Sequence, residues 1–272
     1  MNKFERRSAA AAEQAVERFE KDIHLRGGKV LKTKLKMMPF RWFNVSGSAC
    51  LAYQLQLERL CEIGDDYYLE ERCERREMVF DGDSCYQERM MNDLTREREK
   101  MLEVEAESQE RSFQYNRREA VRYAERWWNE RNPAYQSFAD NCTNYISQCL
   151  KAGGAPMHGS PNRSRGWWYT GDNWSYSWSV AHSMRWYLSG ADQGLTARRV
   201  EKAADLELGD VICYDFDGDG SWQHTTIVTA KDGRGEPLVN ANTADSRHRY
   251  WAYEDSTAWT PNIEYAFFHI ED

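Results

Sequence analysis

The chain has 272 residues, enough for one large domain or two smaller ones, and its 41% hydrophobic and 13% aromatic content is that of a globular protein. A net charge of −8, with no basic stripe carrying interleaved aromatics, argues against nucleic-acid binding. No run of about 18 apolar residues occurs, so no membrane-spanning helix is expected.

The N-terminus begins with Lys3, Arg6 and Arg7, but the alanine run that follows is too short for a signal sequence, and Glu13, Glu17 and Glu20 interrupt it. As written, the chain reads as cytoplasmic, with export open if a leader precedes it. The seven cysteines are odd in number and lack CxxC spacing, which points away from a zinc site and from a disulfide framework. No metal and no cofactor is expected, and the oligomeric state stays open.

Residues 5–24 read as an amphipathic helix with Ala9, Ala12, Val16 and Phe19 on one face, ended by Gly27-Gly28. Strand-like runs follow at 30–45, 50–57, 67–80 and 84–91, with a turn at Asp81-Gly82-Asp83. The dense charges from Glu70 to Glu77 leave the third run open between strand and helix. Residues 92–112 are almost uniformly charged or polar and read as a solvated helix or linker. A smaller α+β domain over 1–110, followed by a second domain over 111–272, is the economical division. In the second domain a helix is expected over 118–129, stopped by Asn132-Pro133, and another over 179–188. Strands are expected at 208–215, 224–229, 238–243, 249–253 and 264–269. Helices followed by antiparallel strands form an α+β pattern.

The stretch Asn141-Cys142-Thr143-Asn144-Tyr145-Ile146-Ser147-Gln148-Cys149-Leu150 organises this half. Cys142, Tyr145, Ile146, Cys149 and Leu150 share a face at helical period, Asn141 or Thr143 can cap the start, and Gly153-Gly154 ends the helix. Cys142 therefore falls in a first helical turn, where unpaired N–H groups favour a thiolate. The order Cys142, His224, then Asn242 or Asn240 is that of cysteine hydrolases whose triad residues meet only in the fold. Gln136, six residues upstream, has the spacing of an oxyanion donor. Trp167, Trp168, Trp178 and Trp222 can wall a substrate groove or fill a core. Asp215, Asp217, Asp219 and Gly220 match the start of a calcium loop, but its twelfth position is Thr226, so a hairpin turn delivering His224 is the better account. His158, His182, His248 and His269 lack ligand spacing.

These blocks, with Tyr115-Asn116-Arg117, Ala120 to Ala124, Asn132 to Tyr135, Leu208 to Ile212 and His224 to Thr229, carry a resemblance. Residues 115–272 resemble the bacterial family described as "Putative amidase domain", a branch of the papain-like cysteine hydrolases related to the NlpC and CHAP peptidoglycan hydrolases. The resemblance implies a papain-like α+β fold, helices packed on an antiparallel sheet, with Cys142 as nucleophile and His224 as general base. It implies cleavage of amide bonds in a peptide, of the cell-wall type. The family often has Asp where this chain has Asn141 and tends to have His where it has Asn242. That second departure supports an alternative, a catalytically silent module binding peptide or glycan through its aromatic groove.

Overall fold

A computed structural model describes residues 16, 20–45, 47–81, 84–91 and 113–271. The polar stretch 92–112 and most of the helix expected over 5–24 lie outside the described residues. The chain divides into two compact units: Met1–Arg96 with Asp232–Arg234 and Ala244–Ser246, and Glu97–Lys231 with Gly235–Thr243 and Arg247–Asp272.

The first unit is an antiparallel meander of β1 (Lys29–Val45), β2 (Ser48–Ile63), β3 (Asp66–Asp81) and β4 (Ser84–Met90). Ile63 pairs with Asp66 across a two-residue turn in which Gly64 takes φ 61°, a left-handed conformation glycine adopts without a steric penalty. Pro39 cannot donate to a ladder, and it sits on the outer strand β1 beside a register shift. Leu51, Tyr53, Leu55, Met78 and Phe80 form the core. The charges over 70–77 belong to a strand. Alternation puts Glu70, Arg72, Glu74 and Arg76 on one face, and they pair there. Arg72 Nε donates to Glu70 and Arg76 Nε to Glu74, each at 2.8 Å, while Arg59 of β2 reaches Glu70 at 2.8 Å. All five side chains are buried.

The second unit contains α1 (Arg117–Trp127), α2 (Cys142–Ala152), the short strands β5 (Tyr169–Thr170) and β6 (Asn173–Trp174), α3 (Tyr176–Ser179) and α4 (Ala181–Gly190). Strands β7 (Ala197–Val200), β8 (Val211–Asp215), β9 (His224–Lys231), β10 (Pro237–Ala241) and β12 (Glu264–Ile270) follow, with β11 (Asp245–Tyr250), whose first two residues are counted with the first unit. Their order across the sheet is β11-β10-β9-β8-β12-β7, and the pairs β10–β9, β9–β8, β8–β12 and β12–β7 are antiparallel. Both faces of this sheet are buried, and successive residues report to different cores. Val211, Cys213 and Ile227 join the cluster with Tyr145, Ile146 and Cys149 of α2, whereas Ile212, Tyr214 and Val228 join a second cluster with Phe216 and Tyr253.

The expected papain-like α+β fold is overturned. Both units are built on extensive antiparallel sheet, and the named helices of the second unit have four to eleven residues. They are too few and too short to supply the helical part of a papain-like enzyme. The smaller departures have local causes. Val180 is extended, at φ −116° and ψ 124°, and splits the helix expected over 179–188 into α3 and α4. The strand expected over 249–253 lies earlier, as β11, because residues 251–256 form turns.

Glu70 is shared by two arginines in a buried setting, so removing it takes a carboxylate away from both charges at once. We expect Glu70→Ala to cost about 3 to 5 kcal/mol in urea unfolding. A loss below about 1 kcal/mol would contradict the buried pairing.

Candidate active site

Helix α2 starts at Cys142 because Asn141, at φ −105° and ψ 0°, breaks from helical geometry while its carbonyl accepts from Tyr145 N at 2.9 Å. It stops where Gly153 N bonds Cys149 O at 3.0 Å and Gly154 turns to φ 91°. A Cβ at Gly153 would lie 2.4 Å from the Tyr115 ring, so the helix end also needs glycine for space. Every residue from Cys142 to Leu150 is buried.

Cys142 is 5% exposed and sits against β9. Its Sγ lies 3.7 Å from Thr143 Oγ1, which is 3.1 Å from Thr225 Oγ1. Burial pushes the thiol pKa up, and the hydroxyls of Thr143 and Thr225 pull it back only in part. The favourable helix end is thus outweighed by desolvation, and the resting group is a thiol. Cys149, one heptad on, is driven well above the ordinary thiol range by burial.

His224 is the first residue of β9, and alternation turns it away from Thr225. Thr225 pairs with Cys213 and His224 with Tyr214, so Cys142 and His224 belong to opposite faces of the sheet. The imidazole, 8% exposed, packs among Tyr214, Phe216 and Tyr253, and its Nε2 lies 3.2 Å from Tyr253 Oη. Burial, then the Arg249 charge, lowers its pKa to about 3. Arg249 itself is ion-paired with Asp255 at 2.7 Å and lies 3.8 Å from the Tyr253 ring centre.

The two asparagines considered as third residue lie on the α2 side of the sheet and bond to other partners. Asn242 Oδ1 accepts from Asn141 Nδ2 at 2.9 Å, and its Nδ2 donates to the Trp128 carbonyl at 2.6 Å. Asn240 Oδ1 accepts from Thr229 Oγ1 and His248 N, and its Nδ2 donates to Glu125 at 2.9 Å. Burial would raise the Glu125 pKa, but His248 and Arg247 outweigh it and hold the carboxylate at about 2. Gln136 is exposed, and its side-chain amide donates to Ser137 O at 3.0 Å. Its carbonyl accepts from Asn144 Nδ2 at 2.8 Å.

The four tryptophans considered for a groove are buried. Trp167 Nε1 donates to Ser147 Oγ, Trp178 Nε1 to Asn144 Oδ1, and Trp168 Nε1 to carbonyls of the 162–165 loop, while Trp222 stacks under Arg185. The cleft beside the α2 N-terminus is lined instead by Trp127, Arg131, Tyr135, Gln136, Gln148 and Asn242, among others. The Asp215 carboxylate is spent on the backbone N–H groups of Asp217, Gly218, Asp219 and Gly220, which makes it the staple of a turn. Among the described residues no group of three or more His, Cys, Asp or Glu is placed to hold a metal. Sequence reasoning missed Thr225, Tyr253 and Gln148. Only Gln148 had a signal, as the fourth member of the period Asn141, Asn144, Tyr145, Gln148 on a second face of α2.

Residues 114–268 match the family described as "Putative amidase domain". The relation to NlpC and CHAP hydrolases expected from the sequence is not part of that match. The chain is 49% identical over 274 residues to the uncharacterized protein YhbB of Bacillus subtilis (strain 168), covering 95% of this chain and 86% of that protein. It is 31% identical over 121 residues to the uncharacterized protein YjcM of the same organism, covering 41% of this chain and 27% of YjcM. No solved structure matches.

A buried neutral histidine ties stability to pH. Above about 6.5 both the folded and the unfolded states are uncharged at His224 and the full stability is present. As pH falls from about 6.5 towards the folded value of about 3, the unfolded chain takes up a proton the folded chain refuses, and stability is lost. Urea unfolding across that window should show a slope that His224→Gln reduces by up to about 1.4 kcal/mol per pH unit. Equal slopes in the two proteins would contradict the buried placement.

Proposed function

Because the chain belongs to the family described as "Putative amidase domain", we propose that it hydrolyses amide bonds and that Cys142 is the nucleophile. The observation that carries this reading is the position of Cys142 as the first residue of α2, inside the matched region. The first-turn N–H groups of a helix have no acceptor within it, and such groups can hold the oxyanion of a tetrahedral intermediate. A peptide of the cell-wall type is the substrate that the sequence resemblance implies, and it enters as part of this proposal.

In the proposed reaction the Cys142 proton passes to His224 and the sulfur bonds to the carbonyl carbon. The C–N bond breaks, the amine leaves with the proton from the imidazolium, and a thioester remains. Water then adds to the thioester and the C–S bond breaks, giving the free acid and restoring the thiol. The resting thiol and the neutral imidazole lie on opposite faces, so the reaction requires the first residue of β9 to turn its ring towards Cys142. Thr225, which already touches the thiol side, is the next residue of the same strand. Asn242 acts in this reading on the cysteine-bearing turn, through Asn141, rather than on the imidazole.

One arrangement favours a second reading, a silent module that binds peptide in the cleft. His224 faces away from Cys142, and Asn242 is bonded to Asn141. Turnover separates the two. On a peptide amide, Cys142→Ala and His224→Ala should each abolish release of free amine. Cys149→Ala should retain it, at a cost of about 1 to 2 kcal/mol of stability. Amine release that persists in Cys142→Ala would remove the nucleophile, and peptide binding without any turnover by the unmodified chain would establish the silent module.

A further inference from the structure

Most polar side chains in the cleft are already engaged. Asn144 Oδ1 accepts from Trp178 Nε1, and Asn144 Nδ2 donates to Gln136 O and to Asn141 Oδ1. Asn242 is bonded through both ends of its amide, and Tyr145 Oη donates to the Ala124 carbonyl at 2.8 Å. Gln148 differs. It lines the cleft, is only 4% exposed, and the one hydrogen bond of its side chain among the described residues joins Oε1 to Tyr123 Oη at 2.7 Å.

The direction of that bond is fixed by a relay. The Ala134 backbone N–H can only donate, so the Asn132 atom it meets at 2.9 Å is the oxygen Oδ1. Asn132 therefore turns Nδ2 to Tyr123 Oη, at 2.8 Å, and the phenol accepts there. The single Tyr123 proton is then left for Gln148, which must present its oxygen. Burial raises the Tyr123 pKa, so the proton stays in place at any ordinary pH. What remains is the Gln148 Nε2 amino group, a donor with no protein partner among the described residues, on the wall of the cleft. A donor held in a fixed direction by this relay can bond a ligand oxygen without giving up a protein partner.

We infer that Gln148 Nε2 is a substrate-binding donor for a peptide carbonyl oxygen, with Tyr123 and Asn132 as its positioning residues. An uncharged carbonyl fits because the charged side chains lining the cleft, Glu130 and Arg131, are of opposite sign. This inference rests on the amide-hydrolase reading for its choice of ligand, but its test does not need turnover.

The probe is N-acetyl-Ala-Ala-methylamide, titrated into the full-length Cys142→Ala variant with the side-chain amide resonances followed by NMR. The Gln148 pair should shift on binding. Gln148→Glu keeps an acceptor for Tyr123 but removes the donor, and it should weaken binding about tenfold, as should Gln148→Met. Tyr123→Phe should weaken it less, and adding Tyr123→Phe to Gln148→Met should cost nothing more, because the relay then ends on no donor. Unchanged affinity in both Gln148 variants, or a bound peptide that leaves the Gln148 resonances unmoved, would overturn the assignment. Binding that follows this pattern in a chain whose Cys142 proves inert would sink the catalytic reading alone and leave the subsite standing.

Discussion

The alternation of strand β9 is the constraint on which the rest of the second unit depends. Both faces of its sheet are covered, so each successive side chain must enter one of two cores. Thr225 and Ile227 face α2, while His224, Thr226 and Val228 face the cluster of Tyr214, Phe216 and Tyr253. A one-residue change of register would exchange the two sets and put a histidine against the cysteine, but it would also drive Val228 and Thr226 into the wrong packing. The separation of Cys142 from His224 is thus a property of the whole strand.

The α2 N-terminus is held by neutral amides rather than by charge. Asn141, the residue before the cysteine, accepts from Phe138 N at 3.2 Å and from Asn144 Nδ2 at 2.9 Å, and it donates to Asn242 Oδ1 at 2.9 Å. Its own N–H reaches Thr243 Oγ1 at 2.7 Å. A carboxylate in place of Asn141 could accept the first two bonds but would meet the Asn242 oxygen with no donor of its own. The pairing of two asparagines is therefore a matched exchange, and an aspartate at the first position would require a donor at the second. The two positions at which the sequence resemblance implies a departure are the two ends of one hydrogen bond.

Much of the local structure was legible before any coordinates. The helix over 142–152 followed from the period of Cys142, Ile146 and Cys149 with glycines beyond, and the meander strands followed from the alternation over 50–57 and 67–80. The charges of β3 were ambiguous because burial of Glu70 and Arg72 depends on Arg59, a residue from another strand. Architecture was misjudged, since a count of local helical patterns does not say how much of a chain ends in sheet. The site was half legible. A cysteine at a helix start is visible in sequence, but the direction of the His224 ring depends on pairing with Tyr214, which no local pattern encodes. The partner of Gln148 was equally hidden, because Tyr123, Asn132 and Ala134 reach it only through the fold.

The protonation state of Cys142 bears most directly on all of this, since desolvation and the opposite-face histidine both leave the resting sulfur as a thiol. Its titration can be followed by the pH dependence of iodoacetamide alkylation, with the labelled residue identified by mass spectrometry, in the unmodified chain and in His224→Ala. Burial of an unpaired thiol predicts a midpoint above the ordinary cysteine value of about 8.5, the same in both proteins. A midpoint below about 7 that rises when His224 is removed would mean that a thiolate–imidazolium pair exists at rest, and would contradict the arrangement described.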